Sequence, residues 1–205
     1  RICADNIILG NVTEYKGSIS TAIAKVFDIT VASTGIASKI LKKSGIKYLD
    51  SITHSASHAG YYPGAIPMTI KIIYQPETGK LFGAQVVGYD SVDKRLDLIA
   101  SVVKKGGTIY DLIDIEHAYA PPYSSAKDPV NMAGFVIENI LTNKVKVFHW
   151  HDVKNLPHDG SVILLDTRTK MEYENGHIDG FINIPLDTLR GRLSELDQSK
   201  PVYVT

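Results

Sequence analysis

Residues 68–89 read MTIKIIYQPETGKLFGAQVVGY, two apolar and β-branched runs on either side of a polar segment. The runs at 68–74 and 81–89 have the composition of β-strands. Between them, Pro76 and Gly79 favour a tight turn, because proline presets one backbone angle and glycine tolerates positive ones. The stretch therefore predicts an antiparallel hairpin.

Segments on both sides of the hairpin extend it into a small domain. Residues 47–54 alternate between apolar and polar as a half-buried strand does, and residues 91–105 carry an apolar stripe of helical period. Asp128 followed by Pro129 is a favourable N-cap and first-turn pair for a further helix. Two or three antiparallel strands with helices on one side predict an α+β domain over residues 46–143.

Residues 1–45 precede this domain and show a weaker pattern. They open with a short helical segment and continue, at 18–35, with β-branched residues that suggest strands unable to form a core alone. Residues 37–43 are predicted to be helical, with Gly45 as the C-cap. We assign residues 1–45 to the end of a preceding domain.

A third pattern begins at residue 144, where short apolar segments alternate with helical ones. Strands are predicted at 145–148, 162–166, 182–184 and 201–205, and helices at 171–175 and 186–196. This alternation indicates a parallel α/β sheet, of which residues 144–205 supply the first half.

Composition excludes several classes of protein. The 205 residues are 44% hydrophobic and carry 22 basic and 22 acidic side chains, so no net charge attracts nucleic acid or an anionic membrane. No apolar run approaches the roughly 20 residues that a membrane helix requires. The one cysteine, Cys3, excludes an internal disulfide framework, and a reducing cytoplasm is the expected location. Four scattered histidines do not suggest a zinc site: His54, His58, His149 and His151.

Residues 166–185, DTRTKMEYENGHIDGFINIP, resemble the first half of a rhodanese domain together with the rest of residues 144–205. In that family an apolar strand leads directly into the loop whose first residue is the nucleophilic cysteine. The resemblance implies that the sulfur-carrying cysteine would follow Thr205. Since the chain also begins without Met, we expect it to be a fragment of a longer protein.

The charged residues and the histidine of this motif are interpreted as structural. A persulfide carrier needs a thiolate at a strand-to-helix turn, where backbone N–H groups and the helix dipole lower its pKa. Asp166, Arg168 and Glu172 are interpreted as an ion-paired brace beside such a turn. His177 is interpreted as a structural histidine and not as an acid or base.

A second signature lies in residues 116–131, EHAYAPPYSSAKDPVN, where two prolines restrict the backbone between Tyr119 and Tyr123. Together with GYYPG at residues 60–64, this segment resembles the dimerisation domain of CoA-disulfide reductases, which are flavin-dependent pyridine-nucleotide disulfide reductases. Residues 1–44 resemble the end of the FAD domain in the same family. Cys3 is then not the redox cysteine and is interpreted as a small apolar core residue.

The resemblance implies roles for individual side chains. Tyr61 and Tyr119 of one subunit would flank the substrate sulfur near the flavin of the other, with Tyr119 also contacting the cofactor. Lys127 would bind a CoA phosphate. Tyr62 could exchange roles with Tyr61, because neighbouring strand residues point in opposite directions. The segment that contains Arg95 (residues 93–95) is interpreted as a solvated helix face.

Tyrosine suits this chemistry because splitting a disulfide expels a thiolate whose developing charge needs stabilising. A phenol with a pKa near 10 can donate a hydrogen bond or a proton to that group. The alternative is that Tyr61 and Tyr119 only pack a dimer interface, where tyrosine is enriched.

The sequence thus predicts an α+β dimerisation domain of a flavin disulfide reductase, followed by the first half of an α/β rhodanese-like domain. The implied parent enzyme is a homodimer through residues 46–143 that uses FAD and NAD(P)H, bound mainly by domains upstream, to reduce CoA disulfide, CoA persulfide or polysulfide. One alternative is an NADH oxidase or peroxidase of the same superfamily. Another, for these residues alone, is a non-catalytic dimerisation and sulfur-partner docking module.

Overall fold

A five-stranded antiparallel sheet organises the first of two units, Arg1–Lys146, in the computed structural model, which describes residues 1–205. Its strands, in chain order, are β1 (Ala22–Val26), β2 (Ile29–Gly35), β3 (Leu49–Ala56), β4 (Pro67–Tyr74) and β5 (Leu81–Gly88). They lie in the order β1-β2-β5-β4-β3, with every neighbouring pair antiparallel.

The unit also contains five helices, two of which make the main packing contacts with the sheet. They are α1 (Ile2–Leu9), α2 (Ser38–Lys43), α3 (Val92–Lys104), α4 (Ile109–Ile113) and α5 (Pro129–Leu141). Helix α3 packs on β2 and β5, and α5 packs on β3 and β4. The core between them is apolar and includes Ile70, Ile72, Val86, Leu96, Ile99 and Ile137.

The hairpin predicted from residues 68–89 is confirmed, since β4 and β5 pair over their whole length. Its turn is closed by a hydrogen bond from the Gln75 N–H to the Lys80 carbonyl oxygen at 2.9 Å. Gly79 has φ +69°, and a Cβ there would lie 2.9 Å from the Ile109 side chain. Glycine is therefore required both by the backbone angle and by the approach of α4.

Residues 22–35, which the sequence pattern assigns to a preceding domain, belong to this same sheet. Strand β2 pairs with β5 from Thr30↔Gly88 to Gly35↔Gly83, and Ala32 is buried in the common core. The boundary predicted at residue 45 therefore lies between two strands, β2 and β3, of one sheet. Residues paired between these strands are 48 to 58 positions apart in sequence, so the pairing leaves no trace in the local pattern that guided the prediction.

The second unit, Val147–Thr205, is built on a three-stranded parallel sheet. Its elements are β6 (Ile163–Asp166), α6 (Lys170–Asn175), β7 (Ile182–Asn183), α7 (Leu186–Leu189) and β8 (Val202–Val204), with 3₁₀ turns at Val153–Asn155 and Arg190–Glu195. The strand order is β7-β6-β8, so the predicted parallel α/β arrangement is confirmed.

Two local predictions are wrong. Residues 145–148 form no strand, and the side chains of Val145 and Val147 are about half exposed. Cys3 is exposed on α1, a helix without any buried residue, so it is not a core thiol. None of the helices combines the length and the apolar character needed to cross a bilayer.

Candidate functional site

The phenol groups of Tyr61 and Tyr119 meet at the surface of the first unit. Their hydroxyl oxygens lie 3.0 Å apart, a hydrogen bond between residues 58 apart in sequence. The two side chains remain 77% and 48% exposed, so the pair is open to a ligand or to another subunit. The structure thus brings together the two tyrosines that the resemblance places at one substrate.

Each tyrosine lies on a loop next to the sheet or its helices. Residues 57–66 join β3 to β4 and carry Tyr61, and residues 114–128 join α4 to α5 and carry Tyr119. The loops contact each other through the backbone, where the Ala59 N–H donates to the Ser124 carbonyl oxygen at 3.1 Å. The pair is therefore assembled from two irregular segments.

Tyr62 has a different environment from Tyr61. Its ring packs edge-on against the ring of His58, with 5.8 Å between the centroids. His58 is buried, and its ring nitrogens lie near the Ser57 hydroxyl and the Pro63 carbonyl oxygen. Tyr61, and not Tyr62, makes the contact with Tyr119.

An ion pair between Arg95 and Asp128 lies beneath the loops. An Arg95 Nη2 to Asp128 Oδ2 distance of 2.9 Å joins them, and neither side chain has any exposed surface. The prediction of a solvated helix face is therefore wrong for Arg95. Its position three residues after Val92 and four before Ile99 places it on the buried stripe of α3, which is the signal that could have revealed it.

Asp128 has further partners that explain how a carboxylate is buried here. It accepts hydrogen bonds from the Ser124 hydroxyl at 2.6 Å and from the Val130 N–H at 3.0 Å, the latter as the N-cap of α5. Burial by itself would raise the pKa of Asp128, but these two hydrogen bonds and the Arg95 charge together hold it below its ordinary value. The group is therefore ionised and fully hydrogen-bonded.

His117 lies beside this ion pair. Its Nδ1 is 3.7 Å from Asp128 Oδ2, its side chain is 6% exposed, and its Nε2 has no hydrogen-bond partner. Burial lowers the pKa of His117, and the attraction of Asp128 only partly opposes that effect. The imidazole is therefore neutral near pH 7, which leaves Arg95 as the counter-charge of Asp128.

The hydrogen bond between the two hydroxyl groups raises the pKa of Tyr119 above its ordinary value, because the protonated phenol is the form that donates to the Tyr61 oxygen. Tyr119 therefore keeps its proton at neutral pH and can act as a donor. Lys127 lies close to this site in sequence, and its exposed ammonium group is 5.2 Å from the centroid of the Phe135 ring. That group is available to solvent and to an anionic ligand.

In the second unit, the Asp166 carboxylate is buried and accepts from Arg168 at three positions, the backbone N–H at 2.9 Å, Nε at 3.1 Å and Nη2 at 2.6 Å. Those hydrogen bonds lower the pKa of Asp166. Glu172 instead forms a capping box with Thr169 at the start of α6. His177 stacks on the Tyr173 ring at 3.8 Å, with its Nδ1 3.0 Å from the Tyr173 carbonyl oxygen.

Comparisons with known proteins agree with both units. The model of the pyridine nucleotide-disulphide oxidoreductase dimerisation domain matches residues 21–129, which include β1 and β2. The model of the rhodanese-like domain matches residues 149–205. The two domain types occur in the order that the sequence predicts.

Individual relatives are similar to this chain over most or all of its length. The coenzyme A disulfide reductase of Staphylococcus aureus (strain bovine RF122 / ET3-1) is 37% identical over 134 residues, which are 65% of this chain and 30% of that protein. The crystal structure of reduced CoADR-RHD from Bacillus anthracis is 48% identical, with a TM-score of 0.93, over 100% of this chain and 37% of that one. An NAD-dependent persulfide reductase from A. fulgidus is 34% identical, with a TM-score of 0.88, over 100% of this chain and 36% of that one. The chain thus spans about a third of each relative's length.

Proposed function

This chain belongs to the pyridine nucleotide-disulphide oxidoreductase family, and from that membership we infer that its parent protein reduces CoA disulfide or CoA persulfide with NAD(P)H through FAD. The observation that carries this proposal is the exposed hydrogen bond between Tyr61 and Tyr119 at 3.0 Å. A pair of hydrogen-bonded phenols on the surface of a dimerisation domain is suited to an active site completed by another subunit.

In the proposed reaction, the thiolate of a redox cysteine outside the described residues attacks one sulfur of the substrate and forms a mixed disulfide with it, while the other sulfur leaves as a thiolate. Tyr119 donates a hydrogen bond to the leaving sulfur and supplies its proton, which solvent then replaces. Before the S–S bond breaks, the Tyr119 O–H donates to the Tyr61 oxygen, which orients Tyr119 and keeps it protonated; the O–H then turns to the leaving sulfur. The two electrons that reduce the mixed disulfide would come from NAD(P)H through a bound flavin.

The described residues could contact a flavin and CoA, but they do not form a complete binding site for either. Tyr119 is about half exposed and presents a phenol that can meet a flavin held by another domain or subunit. Lys127 presents an exposed ammonium group that would bind a CoA phosphate. A homodimer through the first unit would bring these groups to the partner's cofactor.

The rhodanese-like unit favours persulfide or polysulfide over a simple disulfide as the substrate, because a disulfide reductase needs no sulfur carrier. We expect a protein expressed from the complete coding region to lose CoA-persulfide turnover when residues 147 onward are removed, while CoA-disulfide turnover is retained as the matched control. Both rates are measured as NAD(P)H oxidation without oxygen.

Equal persulfide rates for the intact and shortened proteins would contradict the proposed role of the rhodanese-like unit. Rapid oxygen uptake with NADH alone, and no reaction with either CoA substrate, would favour the alternative of an NADH oxidase.

A further inference from the structure

We propose that the buried Arg95–Asp128 ion pair is a positioning device that fixes the loop of Tyr61 against the loop of Tyr119. The two hydroxyl groups then stay within hydrogen-bonding distance of each other. The inference deepens the proposed function and rests on it for its catalytic meaning. Its structural part is that the distance between the two phenols depends on the Arg95 guanidinium group, and this part can be tested separately.

The phenols cannot fix their own relative position. Both are exposed, so water competes for the hydrogen bond between their hydroxyl groups. Both also lie on loops outside the strands and helices, where turn hydrogen bonds such as Tyr62 N–H to Ala59 and Tyr123 N–H to Ala120 shape each loop but do not join the two. Their 3.0 Å separation therefore depends on what joins the two loops, which is the Ala59–Ser124 backbone hydrogen bond and the buried groups beneath.

Arg95 connects the two loops directly. Its Nη2 donates to the Ser57 carbonyl oxygen at 2.9 Å, at the start of the loop that carries Tyr61. The same group donates to Asp128 Oδ2 at 2.9 Å and reaches the Tyr123 carbonyl oxygen at 3.4 Å, both on the loop that carries Tyr119. A shift of one loop against the other would break hydrogen bonds of a fully buried charge.

The planar shape of the Arg95 guanidinium group lets it face both carboxylate oxygens of Asp128. Nε lies 3.4 Å from Asp128 Oδ1 while Nη2 lies 2.9 Å from Oδ2, so the planar fork sets the angle as well as the distance to the second loop. A lysine would keep the positive charge but offers its donors from a single atom. Arg95→Lys therefore separates the charge of the residue from its geometry.

The first test titrates Tyr119 by NMR in the 205-residue chain labelled with ¹³Cζ-tyrosine, with the signal assigned from Tyr119→Phe. In the wild type we expect Tyr119 to titrate above the ordinary value of about 10. Tyr61→Phe should return the Tyr119 titration to that value. Arg95→Lys should do the same, because the two tyrosine hydroxyl groups would move apart. Ile99→Ala, a core substitution one turn further along α3, is the matched control and should leave the titration raised.

An unchanged Tyr119 titration in folded Arg95→Lys would overturn the inference. If Arg95→Lys does not fold, Ser124→Ala decides, because it removes the hydroxyl shared by Asp128 at 2.6 Å and Arg95 at 3.4 Å. A smaller shift in the same direction would support the positioning role, and no shift would refute it.

The second test measures turnover of CoA disulfide by the protein from the complete coding region. Arg95→Lys should lower kcat on the order of tenfold to a hundredfold, as misplaced catalytic groups do, with a smaller change in KM. If the Tyr119 titration shifts while kcat stays constant, the positioning role stands and the proposed function of the phenols fails. If kcat falls while the titration is unchanged, the positioning role is refuted.

Discussion

Tyr119→Phe should lower the turnover of CoA disulfide by about a hundredfold or more, the range expected for loss of a proton donor. The substitution removes the hydroxyl that would protonate the leaving sulfur and leaves the ring in place. The measurement is kcat in the protein from the complete coding region, with NADH and NADPH tried separately. Tyr110→Phe is the matched control, because Tyr110 is similarly exposed but lies on α4, outside both loops.

The companion substitution Tyr61→Phe should have a smaller effect on kcat. It keeps the donor but removes the hydrogen bond that raises the pKa of Tyr119. The loss should therefore grow at alkaline pH, where Tyr119 begins to lose its proton. Unchanged turnover in Tyr119→Phe would contradict the proposed role and leave the tyrosines as packing residues of a dimer interface.

Asp128→Ala should lower the free energy of unfolding of the first unit by about 3–5 kcal/mol, because it leaves the Arg95 charge buried without its partner. Loss of the N-cap of α5 should add about 1 kcal/mol. Hydrogen exchange of the β4 and β5 amides measures this change. Fluorescence of the one tryptophan, Trp150, would instead report on the second unit.

Two controls separate these contributions. Asp111→Ala removes a capping carboxylate of α4 at the surface and should cost about 0.5–2 kcal/mol, as loss of a cap alone does. The double substitution Arg95→Met with Asp128→Leu should regain part of the lost stability, because no unpaired charge remains. A loss in Asp128→Ala no larger than in Asp111→Ala would contradict the account of the buried pair.

Local patterns in the sequence predicted the elements whose partners are close in the chain. The β4–β5 hairpin follows from two apolar runs and a turn that needs Gly79, and the start of α5 follows from Asp128 and Pro129. The place of β2 beside β5 could not be predicted in this way, because β2 pairs with the edge of a strand that is distant in sequence.

For the candidate site, too, the sequence indicated some residues but not the contacts between residues distant in the chain. Resemblance to known reductases suggested Tyr61 and Tyr119, but only the structure shows that their hydroxyl groups touch. Arg95 was interpreted as solvated because a charged side chain is buried only when a partner compensates for its desolvation. That partner, Asp128, is 33 residues away in sequence, so the apolar stripe of α3 could indicate a buried position for Arg95 but not the residue that compensates its charge.

The most direct measurement of the central claim is the yield of free thiol from CoA disulfide, without oxygen, by the protein from the complete coding region. A reductase of the proposed kind transfers two electrons from each NAD(P)H to one S–S bond. The account predicts two CoA thiols for every NAD(P)H oxidised. NAD(P)H oxidation that requires oxygen and releases no CoA thiol would contradict it.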